Sequence, residues 1–422
     1  MAKTVSLSGP AVALARDAFR SYYRNHPVPA PPRVARREFA SFSFSTESLM
    51  RRHTAFGDAA AMSRFLADEA PRHVYYSAAY YRHPAEGSMA KKEWLGADLI
   101  FDLDADHLRG AQELDYAGQL RLAKERFTVL LDDFLFRDFG IDPDSCEITF
   151  SGGRGYHAHV RDERFLHLTS AERRELVDYI LGVGLDPSRA LGHRTVDLRP
   201  DERPDGAGRS GGGRPGRRRS IRQIEVAPPD APGWYGRIGR AVRATIDRWR
   251  TQPPAQTWAE FRALDVHDPA ARRWVQALVR ARGEGPPAPG SDDALGRREI
   301  PEPLLAAIAR DAAVAVQGET DAPVTTDIHR LIRLPGSLHG GTGLRVVPVD
   351  YARLDAFDPL RDAVWEGEEA PAVPVRYLTR VAGRLGPWEF RGDAGSSEEL
   401  PRPAALFLIL RGEAELRSGP GS

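Results

Sequence analysis

The segment DLIFDLDADH, residues 98–107, sets the tightest condition on how this chain folds. Leu99, Ile100, Phe101 and Leu103 ask for burial, yet Asp102 and Asp104 interrupt them. Side chains alternate faces along a strand, so Leu99, Phe101 and Leu103 point one way and the two acids the other. Such a strand belongs where a core meets a cleft, with two carboxylates about 7 Å apart on its open face. Like charges at that distance repel unless a cation offsets them, and hard carboxylate oxygens favour Mg²⁺ or Mn²⁺. The plain alternative is a half-exposed strand with an acidic outer face, because Asp-x-Asp alone is a weak signal. Asp98 and Asp106 read as flanking surface charges.

Two further segments carry chemistry. CEITFSGGRGYHAHV, residues 146–160, predicts strand, Gly-rich turn and strand. Its glycines let the backbone approach a ligand and leave amide N–H groups free, while Ser151, Arg154 and His157 supply anion-binding side chains within seven residues. Phosphate is the natural guest, and an ordinary hairpin accounts for the glycines but not for those three side chains. His159 reads as a plain strand histidine. In DAPVTTDIHRLIRLPGSLHGGTGLRVVPVD, residues 321–350, Thr326 and Asp327 look like an N-cap ahead of a helical IHRLIRL. Arg333, Ser337 and His339 then crowd a Gly- and Pro-rich turn suited to a polyanion. Spacing leaves open whether Asp321 or Asp327 adds a metal ligand, although capping makes Asp327 the poorer choice.

The remaining texture fixes the organisation. Leu122, Val129, Leu130 and Phe134 recur at helical spacing before Gly140, predicting a helix over 119–139. Thr169 and Glu172 form a capping-box pair at the start of another. Ile238, Val242, Ile246 and Trp249 share a helical face, as do Trp274 and Leu278. The Gly-, Pro- and Arg-rich stretch 199–219, with five arginines from Arg209 to Arg219, reads as a mobile loop, and 283–296 as a linker. β-texture returns in GLRVVPVD and in ALFLILRG near the C-terminus. The predicted class is α/β (α+β): a core of residues 1–165 and 301–422 interrupted by a mainly helical subdomain, 166–300.

Composition removes several classes. Lys+Arg and Asp+Glu both number 59, which excludes a uniformly basic nucleic-acid coat but not a local basic groove. A single cysteine, Cys146, excludes a disulfide framework or an all-cysteine zinc knuckle and suits a reducing, cytoplasmic location. The N-terminus turns charged before any apolar stretch could act as a leader, and no run approaches the roughly 20 apolar residues of a membrane span.

Taken in order, DLIFDLDADH, SGGRGYHAHV and VTTDIHRLIRLPGSLHGGTGL, with RREFA at 36–40 and LPRPAALFLILRGEAEL near the end, resemble the small catalytic subunit of archaeal and eukaryotic DNA primase, most closely the archaeal form. The resemblance implies a primase-polymerase core with an RRM-like sheet, and the synthesis of short RNA primers during DNA replication. It places the metal acids on Asp102, Asp104 and Asp321, and the triphosphate-binding residues on Ser151, Arg154, His157, Arg333 and His339. It further implies two Mg²⁺ or Mn²⁺ ions, a heterodimer with an iron-sulfur large subunit, single-stranded DNA template and nucleoside triphosphates. Lys91 and Lys92 would face the same cleft. Many relatives carry a zinc knuckle after the acidic strand, which LRGAQELDYAGQLRLAK lacks, so no structural zinc is expected; Gly341 stands where many carry a lysine. An end-joining or translesion polymerase of the same superfamily is the nearest alternative, and a non-catalytic nucleic-acid-binding module the alternative of a different class.

Overall fold

The computed structural model describes residues 7–44, 49–197, 220–280, 300–365 and 371–417. The chain separates into one unit of residues 1–181 with 319–422 and a second of residues 182–318. Helices and sheets are mixed, as an α+β chain requires.

The larger unit is built around two four-stranded antiparallel sheets. In one, the order is Val347–Val349, Cys146–Phe150, Gly155–Val160, Leu99–Asp104. Asp102 lies opposite His157, which lies opposite Thr149. In the other, the order is Leu331–Arg333, His73–Ser77, Phe39–Phe42, Arg51–Thr54. Helix Tyr116–Val129 covers one face of the first sheet, its Phe127 stacking on Tyr156 at 5.4 Å. On the opposite face Ile100 joins a core with Phe39, Val74, Tyr76 and Ile332 of the second sheet. Asp102 and Asp104 continue the Ile100 face. Leu99, Ile100, Phe101 and Leu103 are each 2% exposed or less. Their burial contributes on the order of 1.5–3 kcal/mol apiece, which anchors a strand whose far end gathers charge.

The predicted helix over 119–139 runs as α-helix to Val129 and as π-helix over Leu130–Phe136, with Arg137 and Phe139 N–H groups reaching back five residues to Asp132 and Phe134. Both capping-box bonds form: Thr169 N–H donates to Glu172 Oε2 at 2.7 Å, and Glu172 N–H to Thr169 Oγ1 at 3.3 Å.

Two element assignments need correction. ALFLILRG is not a strand but the helix Arg402–Arg411; Pro403 near its start and left-handed Gly412 at its end mark it as such, and it is buried all round, which erases the helical period. IHRLIRL is not a helix: Asp327 caps a tight turn through its bond to His329 N–H, and Leu331–Arg333 then pairs with Tyr75–Ser77. The helix lies just upstream, at Ala322–Thr326, with Asp321 at its N-cap position.

The second unit begins and ends later than texture suggests. Helix Ser170–Leu181 belongs to the larger unit, where buried Arg173 donates to the carbonyls of Ala97 and Asp98 at 2.8 and 2.9 Å. Helix Glu302–Ala315 belongs to the second, packed on Gly233–Thr251. Ile238, Val242, Ile246, Trp249, Trp274 and Leu278 are buried there as their spacing requires. This unit also holds an antiparallel hairpin, Leu191–Asp197 with Ser220–Val226, that helical texture does not predict. The stretches 199–219 and 283–296 lie outside the described residues.

Candidate active site

Asp102 sits where the Ile100 face leaves the inter-sheet core. Its backbone carbonyl accepts the Asp321 N–H at 2.7 Å and the Thr320 hydroxyl at 3.2 Å, a link across 218 positions for Thr320. Returning from the second unit, the chain is thereby fastened beside the acidic strand. The Asp102 carboxyl is pushed up to about 7, first by burial and then by the charges of Asp104 and Asp321, against the opposing pull of Arg330 and Arg333. Asp104 Oδ1 accepts the N–H of Asp106, and Asp106 in turn holds Arg154 at 2.6 Å.

The Asp102 carboxyl therefore lies in the field of the other two acids, and such a group favours a cation. Among the described residues, however, no three His, Cys, Asp or Glu side chains stand in an arrangement that could ligate one ion. The donor set itself, hard oxygens with excess negative charge, suits Mg²⁺ or Mn²⁺.

The Gly-rich turn and the third segment are clasped together. Thr342 Oγ1 donates to the Gly152 carbonyl at 2.6 Å and accepts the Leu344 N–H at 3.1 Å. Gly152 has φ +74°, and a Cβ there would lie 2.7 Å from His339 Cβ, so only glycine allows this approach. Ser151 Oγ accepts the N–H groups of Gly153 and Gly155, both at 3.2 Å. Those two amides are thus not free for a ligand, contrary to expectation. Ser151 shapes the turn.

The histidines carry no charge here. Burial, with Arg333 and Arg330 nearby, pushes His157 down to about 3, and burial likewise holds His73, His159 and His339 well below the usual range. His157 Nε2 stands 3.4 Å from Asp102 Oδ1. His339 Nδ1 accepts the Gly341 N–H at 3.2 Å, leaving Nε2 as the ring's donor. Positive charge comes from Arg154, Arg333 and Arg330. Arg333 Nη1 donates to His73 Nδ1 at 2.8 Å and its guanidinium lies over the Tyr75 ring.

Asp102, Asp104 and Asp321 are thus neighbours, and Ser151, Arg154 and His339 meet at the clasp with Arg333 acting on the same histidine. Arg330 and His73 were missed by sequence reasoning; Arg330 had a signal, since it lies three residues before Arg333 in the same basic segment, whereas His73 had none. Lys92 does not face a cleft: it is fully buried, paired with Glu38 at 2.9 Å and bonded to the Pro84 carbonyl at 2.6 Å. Lys91 is exposed. Asp98 is not a surface charge either, being buried between Arg37 at 2.7 Å and the Tyr80 hydroxyl at 2.5 Å. His159 is enclosed, with Nδ1 3.2 Å from Tyr76 Oη.

A family model described as DNA primase small subunit matches residues 101–351. The chain is similar to the DNA primase small subunit PriS of Methanocella arvoryzae, 39% identical over 96% of this chain and 98% of the relative. It is 38% identical to that of Methanothrix thermoacetophila, over 95% and 98%. To that of Natronomonas pharaonis it is 36% identical, over 94% and 96%.

Proposed function

Because the chain belongs to the DNA primase small-subunit family and so acts as a primase catalytic subunit in DNA replication, we propose that it makes short RNA primers by template-directed nucleotidyl transfer at Asp102, Asp104 and Asp321. The observation that carries this reading is the fastening of Asp321 to the Asp102 backbone, with Asp104 and Asp321 raising the Asp102 carboxyl.

Asp102, Asp104 and Asp321 would hold Mg²⁺ or Mn²⁺, which when bound supplies Lewis acidity for the attacking hydroxyl and the reacting phosphate. Arg154 and Arg333 would offset the charge of the triphosphate, and neutral His157 and His339 would donate hydrogen bonds rather than charge. Ser151 holds the turn in which these groups meet. Contact with the single-stranded DNA template would be mainly to phosphate, hence tolerant of sequence and weakened by salt. Starting without a primer means holding two nucleotides on a template, and an iron-sulfur large subunit is the partner this reading calls for. The second unit then interrupts a catalytic core formed by the two outer parts of the chain. No helix among the described residues is long and apolar enough to cross a membrane.

The test is unprimed synthesis on a poly-pyrimidine template with labelled ribo- and deoxynucleotides, with and without a copurifying partner. The double variant Asp102→Ala, Asp104→Ala should lose dinucleotide synthesis while still binding single-stranded DNA. Synthesis that persists in that variant, or binding lost together with it, would remove the assignment.

A further inference from the structure

Burying a guanidinium without a counter-charge is costly, and the larger unit shows how that cost is usually met. Arg37 is paired with Asp98 at 2.7 Å, Arg161 with Glu147 at 2.5 Å and Arg154 with Asp106 at 2.6 Å. Arg72 departs from this pattern. It is half-buried, and its Nε donates to the Gly340 carbonyl at 3.0 Å. Its two terminal nitrogens have neither a carboxylate nor another hydrogen-bond partner among the described residues, and burial pulls its pKa down.

Its position is tightly fixed. The next residue, His73, accepts the Gly340 N–H at Nδ1 at 3.3 Å, so Arg72 and His73 hold the two backbone polar groups of Gly340 between them. A Cβ on Gly340 would lie 2.3 Å from Arg72 Cγ and 2.2 Å from the Arg72 carbonyl oxygen, so the loop closes directly onto this arginine. The His73 ring stands 5.4 Å from that of His339, and the Arg72 charge acts on His339 together with those of Arg333 and Arg154. An arginine held at the loop by Nε, with its outer edge free of protein partners among the described residues and other arginines nearby, presents its charge and two donors to an anion.

Resting on the reading of this loop as the triphosphate cradle, we propose that Arg72 is a further phosphate-binding residue, whose outer guanidinium edge hydrogen-bonds the phosphate tail of the incoming nucleotide. The bidentate geometry of that edge matches two phosphate oxygens.

Arg72→Gln separates this role from a structural one, because glutamine carries its amide nitrogen at the same place along the side chain as arginine carries Nε. The donor to Gly340 is kept, whereas the charge and the two outer nitrogens are lost. Equilibrium binding of ATP, ADP and AMP to the full chain is the measurement. Arg72→Gln, like Arg72→Ala, should weaken ATP roughly ten-fold to a hundred-fold, the range of a charged hydrogen bond, and AMP hardly at all. The KM for ATP in synthesis should rise in parallel, with the thermal unfolding of Arg72→Gln unchanged. Wild-type ATP binding in Arg72→Gln, or equal weakening of ATP and AMP, would overturn the proposal. If Arg154→Gln and Arg333→Gln weaken ATP while Arg72→Gln does not, Arg72 alone is misassigned; if none of the three does, the cradle itself is.

Discussion

Asp102→Asn should make the metal-free protein more stable while abolishing synthesis. The Asp102 carboxyl moves from 3.8 to about 7 on folding, a rise of about three units or about 4 kcal/mol at most. Its side chain is 17% exposed, and solvent screens part of the repulsion, so a gain on the order of 1–2 kcal/mol is expected. A carboxyl raised on folding gives stability that is fully present below pH 3.8 and lost as pH climbs through about 7. Asparagine does not titrate, so the unfolding temperatures of variant and wild type in EDTA should diverge between pH 4 and pH 8, by about 2–6 °C at the upper end. Hydrogen exchange on residues 99–104 assigns the change to the larger unit. Added Mn²⁺ should then stabilise wild type and leave the variant little affected, because only a ligand that binds the folded state shifts its unfolding. A gap that does not vary with pH would show that the three acids do not share a field, and the proposed metal site would go with it.

Two other outcomes follow from the geometry. Thr342→Val removes the hydroxyl that donates to Gly152 and accepts from Leu344. It should cost about 1–3 kcal/mol and raise the KM for nucleoside triphosphates more than it lowers kcat; a KM equal to wild type would show that the clasp is not part of the nucleotide site. Lys92→Met leaves buried Glu38 with Arg52 and His53 as its neighbours. It should destabilise the chain by about 3–5 kcal/mol, measured by denaturant unfolding, yet leave the nucleotide KM unchanged in folded protein, and a KM effect would restore Lys92 to the cleft.

What could be read in the sequence was whatever is decided within a few residues. The strand, turn and strand of 146–160, the Thr169–Glu172 box and the apolar stripes of the second unit all rest on interactions that close locally. The failures share the opposite origin. Leu331–Arg333 has a helical apolar spacing, but pairing with a strand more than 250 residues earlier overrides it. The partner of Asp98 lies 61 residues away, and Lys92, at the end of the short helix Met89–Lys92, meets Glu38 from far earlier in the chain, so neither burial has a local sign.

The same contrast explains why the acids were easier to find than the groups around them. A pair of carboxylates in an apolar strand violates the local pattern and announces itself. An arginine or histidine in a polar loop violates nothing, and its role depends on whether it is charged and on what opposes it. Here burial leaves His157, His339 and His73 neutral, which transfers the whole positive charge of the cradle to arginines. Arg154 is held by Asp106 and Arg333 by His73, so each is oriented before any ligand arrives. Neutral histidines also add nothing to the repulsion among those arginines, so the cradle can be packed closely without a substrate. Binding would then vary little with pH between 6 and 8 on the histidines' account, and the acidic strand remains the element whose charge state responds to conditions.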